Sequence, residues 1–170
     1  MLLVLLVLLA GCSVTKPLLL GPQPWPDKVI ASPEVGRRAP NFKLATTSGA
    51  TVSLDQLHGK PVILNFFATW CTSCKQEMPL LQRASQAVQV VGVDLRDERA
   101  AVAAFAQQND AHYPLLLDTG GDVNESYRVG NLPMTYVMDG DGTIRTVVIG
   151  AVTEPKLRTI LAQVGLPPLP

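Results

Sequence analysis

From Phe42 to Val164 the chain alternates between two hydrophobic periods, and each change of period marks a new element. The stretch FKLATTSGATVSL, residues 42–54, alternates apolar and polar positions around Ser48-Gly49, which predicts a β-hairpin. Residues 54–57, LDQL, predict a short helical turn ended by Gly59. PVILNFF, residues 61–67, is a near-continuous apolar run of β-type residues, as expected of a strand covered on both faces. A helix is predicted to start at Cys71 and Cys74 and to continue to about Val88. VQVVGVDL gives a second buried strand, and DERAAVAAFAQQN a second helix with Val102 and Phe105 on one face. YPLLLD predicts a short third strand and DVNESYRV a short helix. MTYVMD and TIRTVVIG are two further strands, joined by the turn residues Asp139-Gly140-Asp141-Gly142. A last helix is predicted from Thr153, as N-cap, to about Val164, with Gly165 as its stop. Strands alternating with helices and closing on a hairpin describe an α/β sandwich.

Before this periodic region the pattern is different. The first eleven residues, MLLVLLVLLAG, are an unbroken apolar run that ends in small residues ahead of Cys12. The run is shorter than the ~20 apolar residues a membrane-spanning helix needs, and it fits the apolar core of an export signal. Nothing basic precedes it, a departure from the usual signal. Leu9-Ala10-Gly11-Cys12 resembles the lipobox of bacterial lipoproteins, which implies cleavage before Cys12 and a lipid on its thiol. From Ser13 to about Arg38 periodicity is absent and proline frequent (Pro17, Pro22, Pro24, Pro26, Pro33), which reads as a semi-extended tether. The expected organisation is therefore a signal at 1–11, a lipidated Cys12 and tether at 12–38, one domain at 39–166, and a tail at 167–170.

Composition adds little to the picture. The chain has 170 residues, enough for one domain with short extras, and 14 Lys and Arg balance 14 Asp and Glu. That balance gives no reason to expect nucleic acid as a partner. Cysteine count is more informative. Three cysteines leave an odd one in an exported protein; a lipid on Cys12 leaves one matched pair, Cys71 and Cys74. Outside the cytoplasm such a pair is oxidised by default.

Two cysteines three apart at the start of a helix have a definite chemistry. The first sits where the helix leaves unpaired N–H groups and a partial positive charge, which favour a thiolate, the nucleophilic form. Cys71 is thus the expected attacker and Cys74 the residue that resolves the mixed disulfide. A structural metal would need four ligands, and beyond the pair the domain offers only His58 and His112, without ligand spacing. A disulfide closing so small a loop would constrain little of the unfolded chain. No metal and no cofactor are expected.

VILNFFATWCTSCKQEMP resembles the active-site segment of the thioredoxin-like fold, and specifically the TlpA/ResA-like thiol-disulfide oxidoreductases of bacterial envelopes. The resemblance runs from about Ala39 to Val164. It includes the preface APNFKLATTSGATVSLDQLHGK and the later NLPMTYVMDGDG. It implies a three-layer thioredoxin-like sandwich with an N-terminal β-hairpin extension. It also implies that Leu132-Pro133 is a cis-proline site packed beside the redox pair, where the backbone pairs with an extended substrate segment. Glu77 matches a proton-shuttling glutamate of the family, the alternative being a solvated helix residue. Asn65 stands where plain thioredoxins carry a buried aspartate, and it cannot act as a base. Pro79 matches a helix-bending proline. Trp70 is expected to shield the disulfide and to offer an apolar docking face, with packing alone as its alternative. Thr72-Ser73 between the cysteines is neither Gly-Pro nor Glu-Pro, so the family's redox poise does not transfer.

By that resemblance the chain is expected to be a monomeric, lipid-anchored reductase on the extracytoplasmic face of a bacterial envelope. Its substrates would be protein thiols and disulfides, with cytochrome c maturation as one setting, and a membrane protein would donate its electrons. Two other readings stand beside it. A peroxiredoxin-like peroxidase shares the APNF preface, but Leu64 and Ala68 occupy the positions where that chemistry needs proline and a hydroxyl. A non-catalytic module would use the same fold's surface to hold a partner or a metal such as copper, and copper handling would want a wider cysteine pair and a distant histidine.

Overall fold

The computed structural model describes residues 33–170; the expected signal, Cys12 and most of the tether lie outside the described residues. Seven strands form one sheet: β1 (Lys43–Thr46), β2 (Thr51–Ser53), β3 (Val62–Phe67), β4 (Gln89–Leu95), β5 (Leu115–Asp118), β6 (Met134–Met138) and β7 (Ile144–Ile149). Their spatial order is β2-β1-β5-β4-β3-β6-β7. The centre is parallel, β5-β4-β3, and every other pairing is antiparallel. Four α-helices accompany the sheet among the described residues: α1 (Thr72–Ala84), α2 (Arg99–Gln108), α3 (Asp122–Ser126) and α4 (Glu154–Gln163).

The alternation of side chains along β3 builds two cores from one strand. Ile63 and Phe67 enter a core completed by Met78 and Leu81 of α1, Val102 and Phe105 of α2, and Leu157, Ile160 and Leu161 of α4. Val62, Leu64 and Phe66 enter the opposite core with Phe42, Leu54, Val123 and Tyr127. Because β3 is covered on both faces, all six of its residues are buried, as its continuous apolar run predicts. Three rings knit the second core: Phe66 and Tyr136 both pack on Tyr127, with ring centroids 5.0 and 5.1 Å from it. The Tyr127 hydroxyl donates to the Pro40 carbonyl at 2.7 Å, tying the preface to the far face of the sheet.

The hairpin, the helical turn at Leu54–Leu57 and the closing β6-β7 pair stand where the sequence predicts them. Three boundaries differ. Helix α1 stops at Ala84 rather than near Val88, because the Ser85 hydroxyl donates to the Gln82 carbonyl and the following residues bond as turns. The folded part starts before Ala39: Gly36 N–H donates to Ile144 O at 2.8 Å, and Arg38 bridges Thr143. The edge strand β7 recruits these residues, so the last part of the expected tether belongs to the domain. The expected tail also docks, with Leu169 buried in the first core. Thr153 takes the N-cap position of α4 with an extended backbone, but its hydroxyl makes no cap bond there.

Candidate active site

The site lies where the end of β3 turns into α1. Residues 68–71 carry the chain from the sheet to the helix, and Cys71 N–H closes the turn on Ala68 O at 3.1 Å. Cys71 is the N-cap of α1, with extended backbone, and the Cys74 N–H in the first turn points at its sulphur, 3.1 Å away. That amide is one of the donors a helix start leaves unpaired, so the cap is filled by sulphur instead of the usual side-chain oxygen. The Ser73 hydroxyl lies 3.5 Å from the same sulphur. Cys71 and Cys74 are joined as a disulfide. Both cysteines are buried, Cys71 with 6% exposure and Cys74 with none.

The Leu132-Pro133 bond is cis, and Pro133 is buried. Its carbonyl accepts Gly150 N–H at 2.9 Å, which fixes the loop against the end of β7. Between this loop and the start of α1 runs a groove of about 620 Å³, lined by Trp70, Cys71, Gln76, Leu95, Val129 and Leu132 among others. Trp70 is 66% exposed at its margin, so its indole is a surface group and not a core one.

Glu77 is buried, with 2% exposure, one helical turn beyond Cys74. Its two carboxyl oxygens are both engaged: Oε1 accepts from Asn65 Nδ2 and Oε2 from Val152 N–H, each at 2.7 Å. Burial pushes the Glu77 carboxyl up to about 7, outweighing these two hydrogen bonds, which favour the charge. Asn65 gives its second proton to Thr135 Oγ1 at 3.0 Å, directly across the β3-β6 pair. The solvated alternative for Glu77 is therefore excluded. Pro79 sits inside α1, where it offers no N–H to the Lys75 carbonyl.

A second carboxyl group flanks the site. Asp94, at the end of β4, is fully buried; its Oδ2 accepts Asp97 N–H at 2.8 Å, and its Oδ1 has no partner among the described residues. Burial above all, with Asp97 and Asp118 adding to it, pushes Asp94 up to about 8. Thr135, Val152, Asp94 and Asp97 are neighbours of the site that sequence reasoning missed. Val152 contributes only a backbone N–H, which no side-chain pattern could reveal. Among the described residues no group of His, Cys, Asp or Glu gathers as a metal would require, and no helix is long and apolar enough to cross a membrane.

A disulfide at a helix N-cap, with one cysteine fully buried, and a cis-proline whose neighbour Leu132 lines the same groove define, on this fold, a thiol-disulfide oxidoreductase. The comparisons with known proteins give the particular family. The chain belongs to the AhpC/TSA family, whose sequence model matches residues 35–147, and its relatives place it among the ResA-type thiol-disulfide oxidoreductases. It is 38% identical over 124 residues to the thiol-disulfide oxidoreductase ResA of Bacillus subtilis, covering 70% of this chain and 69% of ResA. It is 37% identical over 129 residues to the thioredoxin-like protein YneN of the same organism, covering 72% and 75%. A solved structure of a secreted Mycobacterium tuberculosis disulfide oxidoreductase, homologous to E. coli DsbE, superposes with a TM-score of 0.66 at 30% identity. That match covers 72% of this chain and 95% of the other.

Proposed function

We propose that this oxidoreductase works outside the cytoplasm as a reductase of protein disulfides, held at a membrane by a lipid on Cys12. The observation that carries the exchange chemistry is the N-cap sulphur of Cys71, which receives the Cys74 amide and opens on the Trp70 groove; the reductive direction draws on the resemblance to the ResA-type proteins. In the reduced protein, Cys71 thiolate attacks one sulphur of the substrate disulfide, forming a mixed disulfide and expelling one substrate thiolate. Cys74 loses its proton to Glu77, then attacks Cys71 Sγ and expels the second substrate thiolate. The enzyme pair ends as the Cys71–Cys74 disulfide, and two electrons have passed to the substrate. A membrane protein restores the dithiol.

Glu77 suits this part because a carboxyl held near 7 both takes and returns a proton around neutral pH. The groove beside Cys71 takes an extended polypeptide segment next to Pro133, Leu132 supplying the neighbouring backbone and Trp70 the apolar wall. The export reading draws on the apolar run before Cys12, on the cysteine count and on the secreted relative. Cytochrome c precursors, whose cysteines must be reduced before haem attachment, are the substrates the resemblance suggests. The peroxidase reading lacks support at Ala68, which brings no hydroxyl to the pair.

Expression of the full chain with Cys74→Ser in a bacterial host tests the proposal. Mixed disulfides on Cys71 with exported proteins, recovered from membranes and lost on Cys12→Ala, are the expected result. Capture of cytoplasmic proteins alone, or none, would contradict it.

A further inference from the structure

The turn from β3 into α1 is closed from within by Cys71 N–H on Ala68 O, and it gains a long-range support from the segment that follows β4. Asp97 Oδ2 accepts the Thr69 N–H at 2.6 Å, across 28 positions of sequence. Asp97 is itself held, since its N–H donates to the buried Asp94 Oδ2. Between the two aspartates Arg96 adopts φ 62°, a left-handed conformation that costs a non-glycine residue energy and persists only where its surroundings enforce it. Arg96 Nε donates to Gly120 O at 3.2 Å, and its guanidinium fills the space a Cβ on Gly121 would occupy. The 94–97 turn is thus held by Asp94 from within and by the Gly120–Gly121 segment through Arg96, and Asp97 presents a carboxyl oxygen to Thr69. Leu95 of the same turn lines the substrate groove beside Trp70 and Cys71.

We propose that Asp97 is a positioning residue for the thiol-disulfide exchange: by accepting the Thr69 amide it sets the approach of Trp70 and Cys71 to the substrate. The inference rests on Cys71 being the attacking sulphur. Asp97 touches neither sulphur nor substrate in this arrangement; it acts through the backbone of the turn. A hydrogen bond from a backbone amide to a carboxylate is stronger than a neutral one, and Asp94 and Arg96 prepay the ordering of the acceptor. Small displacements of reacting groups cost large factors in rate, up to ~100-fold for about 1 Å.

The test uses the full chain as wild type, Asp97→Ala and Asp97→Asn, with Asp97→Asn keeping an oxygen that accepts the Thr69 amide. Three readouts apply: Thr69 amide exchange by NMR, the rate of Cys71 alkylation in the reduced protein, and kcat and KM for insulin disulfide reduction. The expected result for Asp97→Ala is loss of Thr69 protection and a fall of about tenfold in kcat/KM and in Cys71 alkylation. Asp97→Asn should restore protection and bring both rates back to within about twofold. Wild-type rates in Asp97→Ala, or Asp97→Asn as impaired as Asp97→Ala, would overturn the inference. Slow Cys71 in the wild type would instead defeat the assignment of the attacking sulphur, so the two failures are distinct.

Discussion

Asn65 Nδ2 and Glu77 Oε1 lie 2.7 Å apart in the interior, joining the central strand to the helix that carries both cysteines. The pair explains how a carboxyl group survives with 2% exposure: one oxygen takes the amide of Asn65 and the other takes Val152 N–H. A second carboxyl at position 65 would repel Glu77, whereas the asparagine donates to it. Asn65 thus favours the charged form of Glu77, against the burial that pushes its carboxyl up.

Glu77→Gln keeps the size of the side chain and removes its proton chemistry. General acid-base catalysis contributes about 10²-fold or more, so resolution of the mixed disulfide by Cys74 should slow by roughly that factor. In the wild type that step should accelerate as pH rises through about 7, where Glu77 becomes a base, and the variant should lose this rise. Stopped-flow measurement of mixed-disulfide decay between pH 5 and 9 checks both statements.

Asn65→Ala removes a hydrogen bond that favours the charged form of Glu77, so the carboxyl should move further up from about 7. The inflection in the same decay profile should shift to higher pH. Leaving Glu77 and Thr135 without their buried donor should also lower stability by about 1–3 kcal/mol, measured by urea unfolding.

Stability should fall as pH rises. Glu77 goes from an ordinary value of 4.5 to about 7 on folding, and Asp94 from 3.8 to about 8. Both are raised, so the unfolded chain binds fewer protons between those values and the native state loses ground. The stabilisation is complete below about 4 and levels off above about 8, and the Glu77 part is on the order of 3 kcal/mol. Urea midpoints across this window should decline, and Asp94→Asn and Glu77→Gln should each flatten the slope. A midpoint that rises with pH would contradict the burial argument.

Trp70→Ala should lower kcat/KM for protein disulfides severalfold and leave thermal stability nearly unchanged, because the indole is 66% exposed and packs little of itself inside. Small disulfide reagents, which need no groove, should react at close to wild-type rates. Insulin turnover beside turnover of a small aromatic disulfide separates the two effects.

The sequence made the fold legible where local chemistry is strong. The apolar run of β3, the Ser48-Gly49 hairpin, the cysteine pair at a helix start and the Asp139–Gly142 turn each depend on neighbouring residues, and each is found in place. The Leu132-Pro133 site was reached by resemblance and is cis. What could not be read are the contacts that join distant segments. Glu77 draws on Asn65 and Val152, and Thr69 on Asp97, from elements that meet only when the sheet assembles. The same holds for residues 36–38, which look like tether in the sequence and pair with residues 143–144 in the fold.

The central claim is that Cys71 is the attacking sulphur, and selective alkylation measures it most directly. The full chain is reduced, treated briefly with iodoacetamide at pH 7, and mapped by mass spectrometry of its cysteine peptides. Cys71 should be labelled well ahead of Cys74 and faster than free cysteine under the same conditions. Labelling of Cys74 first, or of Cys71 no faster than free cysteine, would contradict the account.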